Sequence, residues 1–278
     1  MSKIEWTDRT WNPTVGCSRV SEGCRNCYAE RMAGTRLAHL PDYAGTTHHN
    51  AAGKPVWTGK VNLLEHRLDD PRHWKKPCRV FVNSMSDLFH EEIPFDFIDH
   101  VYGIMAHTPQ HIFQVLTKRP ERMLEWSRLT RHFIDPKIWE YGRNIWLGVS
   151  VERQEEADKR IPLLIQVPAE VHFLSCEPLI APLDIARFLP AVSWVIVGGE
   201  SGPGARQMRH WWAQELRNQC ILYRIPFFFK QWGEYDSLGA RVGKTKAGRR
   251  LNGEEWNQFP TISGGLELAG MSPAGRAV

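Results

Sequence analysis

Three of the six cysteines in this 278-residue chain, Cys17, Cys24 and Cys27, fall within eleven residues in the stretch "VGCSRVSEGCRNCYAERMA". A disulfide would pair two of them and leave one thiol over. A tetrahedral zinc ion would lack a fourth ligand. A cubic iron–sulfur cluster held at three of its four irons would use all three thiols and keep one iron open for chemistry. The C-x6-C-x2-C spacing suits such ligation, because Cys24 and Cys27 can wrap a metal in a tight loop while the longer spacer lets Cys17 return to the same centre. Cys176 follows a different pattern: period two points it away from the face of its neighbour Glu177, as a small buried hydrophobe. Cys220 falls in an amphipathic helix and reads the same way, and Cys78 fits neither pattern.

Carboxylates and hydroxyls form the second set. Three apolar runs end alike, "GVSVE" at Glu152, "LSCEP" at Glu177 and "VGGES" at Glu200. In parallel strands the reactive groups gather at C-terminal ends, and side chains two apart share a face. Ser150 then accompanies Glu152, Ser175 accompanies Glu177, and Gly198 accompanies Glu200. One such glutamate could simply open a helix, where the dipole favours it; three in register point to a functional ring. Asn83, Ser84, Ser86 and Asp87 in "VNSMSDLFH", Lys118 and Arg119 in "LTKRP", and Lys230 and Gln231 in "FFFKQWG" fall at the same face. Lys118, Glu177 and Lys230 are the candidate catalytic residues. Arg119 either forks onto a carboxylate or phosphate or caps the turn before Pro120. The loop "VGGESGPGARQM", with Gly198 and Gly199, lacks the spacing of the nucleotide fingerprints. It reads as a compact turn whose backbone comes close to a ligand.

The elements that must position these groups alternate. Six runs read as buried strands: "RVFVNSM" (79–85), "HIFQVLT" (111–117), "IWLGVSV" (145–151), "VHFLSCE" (171–177), "WVIVGGE" (194–200) and "PFFFKQW" (226–232). A seventh strand is expected in "TWNPTVG". Between them lie the amphipathic stretches "FDFIDHVYGIMAH", "PERMLEWSRLTRHF", "RQEEADKRIPLLIQ" and "RHWWAQELRNQCILYRI". This alternation predicts an α/β fold, a complete or partial (β/α) TIM-like barrel over residues 1–235. Residues 41–63 read as an inserted loop over one barrel end. Residues 236–278 read as a C-terminal extension packed on the barrel rather than an independent domain.

Composition is that of a soluble globular protein, with 42% hydrophobic and 24% charged residues. No apolar signal core or membrane-length run is present, so a cytoplasmic location without membrane contact is expected, where clustered thiols serve metal or redox chemistry. The net charge of +4 permits a nucleic-acid partner without requiring one. The run "RVGKTKAGRR" (241–250), with five basic residues and no acidic one, reads as a solvated hairpin or a phosphate contact. Most of the twelve tryptophans are expected in the core, with Trp232 a candidate for stacking on a base or an adenine.

A three-cysteine loop after the first strand of a (β/α) barrel resembles the radical S-adenosylmethionine superfamily. The stretches "EWTDRTWNPTVGCSRVSEGCRNCYAERMA", "RVFVNSMSDLFHE", "VLTKRPERM", "GVSVE", "LSCEPL", "WVIVGGESGPGARQM" and "FFFKQWGE" resemble the phage-associated three-cysteine-motif family, related to radical-SAM photolyase-like proteins. The resemblance spans roughly residues 4 to 235. It implies a barrel of the radical-SAM type, a [4Fe–4S] cluster on Cys17, Cys24 and Cys27, and S-adenosylmethionine bound at the fourth iron. The candidate cofactor-binding residues it brings are Tyr28, Ser84, Ser86, Asp87, Glu152, Gly198, Gly199 and Glu200. Among them Asp87, Glu152 and Glu200 are candidates for the amine and ribose of S-adenosylmethionine. It also implies an electron donor of flavodoxin or ferredoxin type, and action on a nucleic-acid base in DNA modification or repair. A separately encoded partner protein is compatible with it.

The chain departs from the superfamily pattern at three points. The first cysteine spacer is six residues rather than three, Asn26 stands where an aromatic usually precedes the third cysteine, and the sole Gly-Gly-Glu, at 198–200, follows a late strand. Two alternatives remain. One is a non-catalytic metal- or cluster-binding barrel that binds a partner protein or nucleic acid, with His48 or His49 as fourth ligand if the metal is zinc. The other is a radical enzyme acting on a peptide or small metabolite.

Overall fold

A computed structural model describes residues 4–130 and 142–261. Its centre is a mixed α/β fold in which seven parallel strands lie side by side in chain order. They are β1 (Arg9–Trp11), β2 (Arg79–Val82), β3 (Ile112–Thr117), β4 (Ile145–Ser150), β5 (His172–Cys176), β6 (Trp194–Gly198) and β7 (Phe227–Gln231). All seven expected strands are present, with "TWNPTVG" divided between β1 and a short ladder pairing Thr14–Val15 with Asn62–Leu63.

Period-two alternation sorts the strand residues into two cores. Val80, Val82, Phe113, Val115, Leu147, Val149, Leu174, Cys176, Val195, Val197, Phe227 and Phe229 face outward to the helices. Phe81, Ile112, Trp146, Phe173, Trp194, Ile196 and Phe228 face inward. The sheet curls round this inner set. Trp6, just before β1, lies with its ring centroid 6.5 Å from Phe173 on β5 and 6.3 Å from Trp194 on β6, strands at the far side of the sheet. The result is a partial β/α barrel with β1 and β7 as its edges. Trp194 is fully buried among Trp6, Trp146, Phe173, Phe228 and Phe259. Trp194→Ala is therefore expected to cost about 3–5 kcal/mol, read as a fall in the urea midpoint.

The outer layer contains α2 (Phe95–Ala106), α3 (Pro120–Thr130), α4 (Gln154–Leu164) and α5 (His210–Tyr223), preceded in the chain by the short α1 (Tyr28–Ala33). The four longer helices coincide with the expected amphipathic stretches, although residues 131–133 of the second stretch lie outside the described residues. Between β5 and β6 the connection is a single 3-10 turn at Ala186–Ala191. The segment 41–63, expected as a turn-rich loop, is more ordered than that. Thr47–His49 pairs antiparallel with Pro55–Trp57, and the Glu30 carboxylate accepts the Trp57 amide at 2.9 Å. Residues beyond β7 cover that edge strand through the Phe228–Asn257 bridge and the Trp194 Nε1 donation to Gln258 O. Residues 262–278 of the extension lie outside the described residues. No described helix is long and apolar enough to cross a membrane.

Candidate functional site

The C-terminal ends of the strands open into a cavity of about 370 Å³. Cys17, Cys24 and Cys27 all line it, each a half-buried free thiol. Burial, then the nearby Asp87 carboxylate, pushes the Cys17 thiol up to about 12, against the opposing pull of Arg119. Cys27 is raised as well, chiefly by burial. Cys78, Cys176 and Cys220 are buried elsewhere, with Cys176 and Cys220 in the outer core as their sequence positions implied.

The strand-end glutamates divide into two roles. Glu152, following β4, is fully buried and outside the cavity lining. One of its oxygens accepts from Lys118 Nζ and, at 3.0 Å, from Ser21 Oγ; the other accepts Arg160 Nη1 at 2.9 Å. Burial alone would raise this carboxyl, but Lys118 and Arg160 outweigh it and bring it down to about 2. Glu200, following β6, takes both arms of Arg206 and, at 2.9 Å, Asn26 Nδ2. Ser21 and Asn26 belong to the cysteine loop, so these two carboxylates fasten that loop over the barrel mouth. Gly23 shows how close the fastening is, since a Cβ there would lie 2.2 Å from Glu152 Oε1. Asn26 also donates to Gly204 O at 2.8 Å, which accounts for an amide where an aromatic was the familiar residue.

Asp87 serves as a hub. Its oxygens accept from Thr117 Oγ1 at 2.7 Å, the Phe89 amide at 3.0 Å, the Lys118 amide at 3.0 Å and Arg119 Nη1 at 3.3 Å. Every oxygen of Asp87, Glu152 and Glu200 is thus engaged by the protein itself. Asp87 and Glu200 also line the cavity, whereas Glu152 lies outside its lining and anchors the cysteine loop from behind.

Glu177 remains as the strand-end carboxylate that both lines the cavity and faces a cavity cation. Its Oε1 lies 3.2 Å from Lys230 Nζ, and its Oε2 accepts Trp6 Nε1 at 3.2 Å. Gly198 leaves room for it, because a Cβ there would come within 2.5 Å of Glu177 Oε1. Lys118, Ser84, Ser86, Tyr28 and Gly199 also line the cavity, and Tyr28 donates to Ser84 O at 2.7 Å. Trp232 does not reach it: it is buried, stacked on His210, and donates to Arg250 O. His48 and His49 are exposed on the 47–57 hairpin, away from the lining. Among the described residues no three His, Cys, Asp or Glu side chains are gathered tightly enough to be recognised as the ligands of a single metal ion.

Sequence patterns missed Glu5, Trp6 and Trp57, all of which line the cavity, and missed that Lys244 reaches it from the 241–250 run. Lys244 Nζ lies 3.1 Å from Glu5 Oε1, joining the C-terminal segment to the N-terminal one. No local signal marks that pairing, because the partners stand at opposite ends of the chain.

The fold and site define a partial parallel β/α barrel whose mouth is covered by a three-thiol loop bound to two strand-end carboxylates. The chain belongs to the family described as proteins of unknown function, DUF5131, which matches residues 1–260. No curated protein and no solved structure matches it.

Proposed function

We propose that this chain is a radical S-adenosylmethionine enzyme that carries a [4Fe–4S] cluster on Cys17, Cys24 and Cys27 and acts on a base of a nucleic acid. The observation carrying the reading is the convergence of three free thiols on one cavity at the C-terminal mouth of a parallel barrel. The donor set fits the group: the lining offers three soft sulfur ligands and, among the described residues, no histidine to complete a zinc site. Cys17, Cys24 and Cys27 would hold the group, which would supply one-electron reductive chemistry toward S-adenosylmethionine.

The protein's own residues supply the rest. Burial raises the Cys17 and Cys27 thiols above the ordinary cysteine range, so holding them as thiolates would call for a cationic centre beside them. Glu177 and Lys230 face each other across the cavity lining, Oε1 lying 3.2 Å from Nζ, and so offer a substrate one acceptor and one donor side by side. Lys118, locked onto Glu152, fixes the end of β3 against the cysteine loop. Trp6, Phe81 and Leu116 form an apolar wall suited to the face of a planar base. Arg241, Lys246 and Arg250 are exposed in the run from which Lys244 enters the cavity, a placement that suits flanking phosphates. An electron donor of flavodoxin or ferredoxin type and a reducing, cytoplasmic setting complete the proposal.

Anaerobically reconstituted protein given dithionite and S-adenosylmethionine is expected to release 5′-deoxyadenosine slowly, and faster with an oligonucleotide present. A fully loaded cluster that yields none would exclude cleavage. Oligonucleotide binding indifferent to salt would remove nucleic acid as the substrate.

A further inference from the structure

We propose that Arg119 sets the reduction potential of a cluster held by Cys17, Cys24 and Cys27, by placing an N–H donor and a positive charge against the Cys17 sulfur. The inference rests on the cluster reading above and adds a role that the motif itself does not contain. Arg119 Nη1 lies 3.8 Å from Cys17 Sγ and 3.3 Å from Asp87 Oδ2. Its Nε donates to Glu91 Oε2 at 2.9 Å, and its Nη2 donates to Ser18 Oγ at 2.6 Å and Ser18 O at 3.3 Å. All three guanidinium nitrogens are engaged, so the fork has one orientation and is not left over for a ligand's phosphate or carboxylate. Only 9% of the side chain is exposed, which limits screening of its charge by water.

Reduction adds one electron to a cluster, and a cation or an N–H donor at a ligand sulfur stabilises the more negative state. Arg119 therefore raises the potential and makes the cluster easier to reduce. The same Nη1 also pairs with the Asp87 carboxylate at 3.3 Å. With Arg119 neutralised, the Asp87 carboxylate would keep its neutral donors, the Thr117 hydroxyl and the Phe89 and Lys118 amides, but lose its cation, so the substitution makes the surroundings more negative as well as removing the N–H donor. Glu91 sits on the solvent side of the guanidinium with 58% of its side chain exposed, and offsets part of its charge.

The test is a redox titration against dithionite, followed by electron paramagnetic resonance, on full-length reconstituted protein with iron measured in each sample. Arg119→Gln is expected to titrate at a more negative potential than wild type, Arg119→Lys between the two, and Glu91→Gln at a more positive one. Equal midpoints at equal iron content would overturn the proposal. Should Arg119→Gln fail to load iron, the exposed Glu91→Gln decides alone, and an unmoved midpoint there is equally fatal. A wild-type protein that binds no iron removes the cluster reading itself and this inference with it, a result distinct from unchanged midpoints.

Discussion

Anaerobic reconstitution of Cys17→Ala, Cys24→Ala and Cys27→Ala is expected to leave each variant colourless and without stoichiometric iron, against about four irons per chain in wild type. The reason is positional: each thiol faces the cavity from a different point of one loop, and among the described residues the lining offers no fourth cysteine or histidine to substitute. Cys176→Ala provides the control. Cys176 is fully buried in the outer core among β5 neighbours, facing the helices, so its loss should leave iron content unchanged. Retention of iron in any of the three loop variants, or zinc at one per chain in wild type, would sink the cluster.

Glu152→Gln is expected to destabilise the fold strongly and with a pH signature of its own. It replaces a fully buried carboxylate with an amide of similar shape and leaves Lys118 and Arg160 facing it without a counter-charge. Breaking a buried pair in this way costs on the order of 3–5 kcal/mol. The wild-type contribution has a defined pH window. With the native carboxyl at about 2 and an ordinary value of 4.5, stability is fully present above 4.5 and is lost as pH falls through about 2. Linkage converts that gap to roughly 3 kcal/mol. Urea midpoints measured at pH 7, 4.5 and 3 should therefore converge between wild type and variant as the pH drops. Parallel profiles would mean the carboxylate is not the charged anchor described above. Because Ser21 hangs from the same oxygen as Lys118, the variant should also hold iron less well after reconstitution.

Arg206 offers a contrast at the other anchor. It clasps Glu200 through Nε and Nη2, with about one-quarter of its side chain exposed. Arg206 Nη1 also lies 3.5 Å from Glu22 Oε2 in the cysteine loop, so this cation links Glu200 to the loop directly. The cysteine loop is thus held at two points, Ser21 on Glu152 and Asn26 on Glu200.

Local sequence determined the strands and the thiol set. Val80, Val82, Val195 and Val197 alternate with Phe81, Trp194 and Ile196 at period two, and a half-buried strand needs no distant information to display that pattern. The cysteine spacing is equally local, as is the burial of Cys176 behind Glu177. What a carboxylate does was not local. Glu152, Glu177 and Glu200 end their strands alike, yet two grip a loop 131 and 174 residues away, while the third meets Lys230 and Trp6 across the cavity. Only the curl of the sheet brings those partners together. A buried carboxylate is satisfied by whichever donors the tertiary fold delivers, and no spacing within the chain records which those will be.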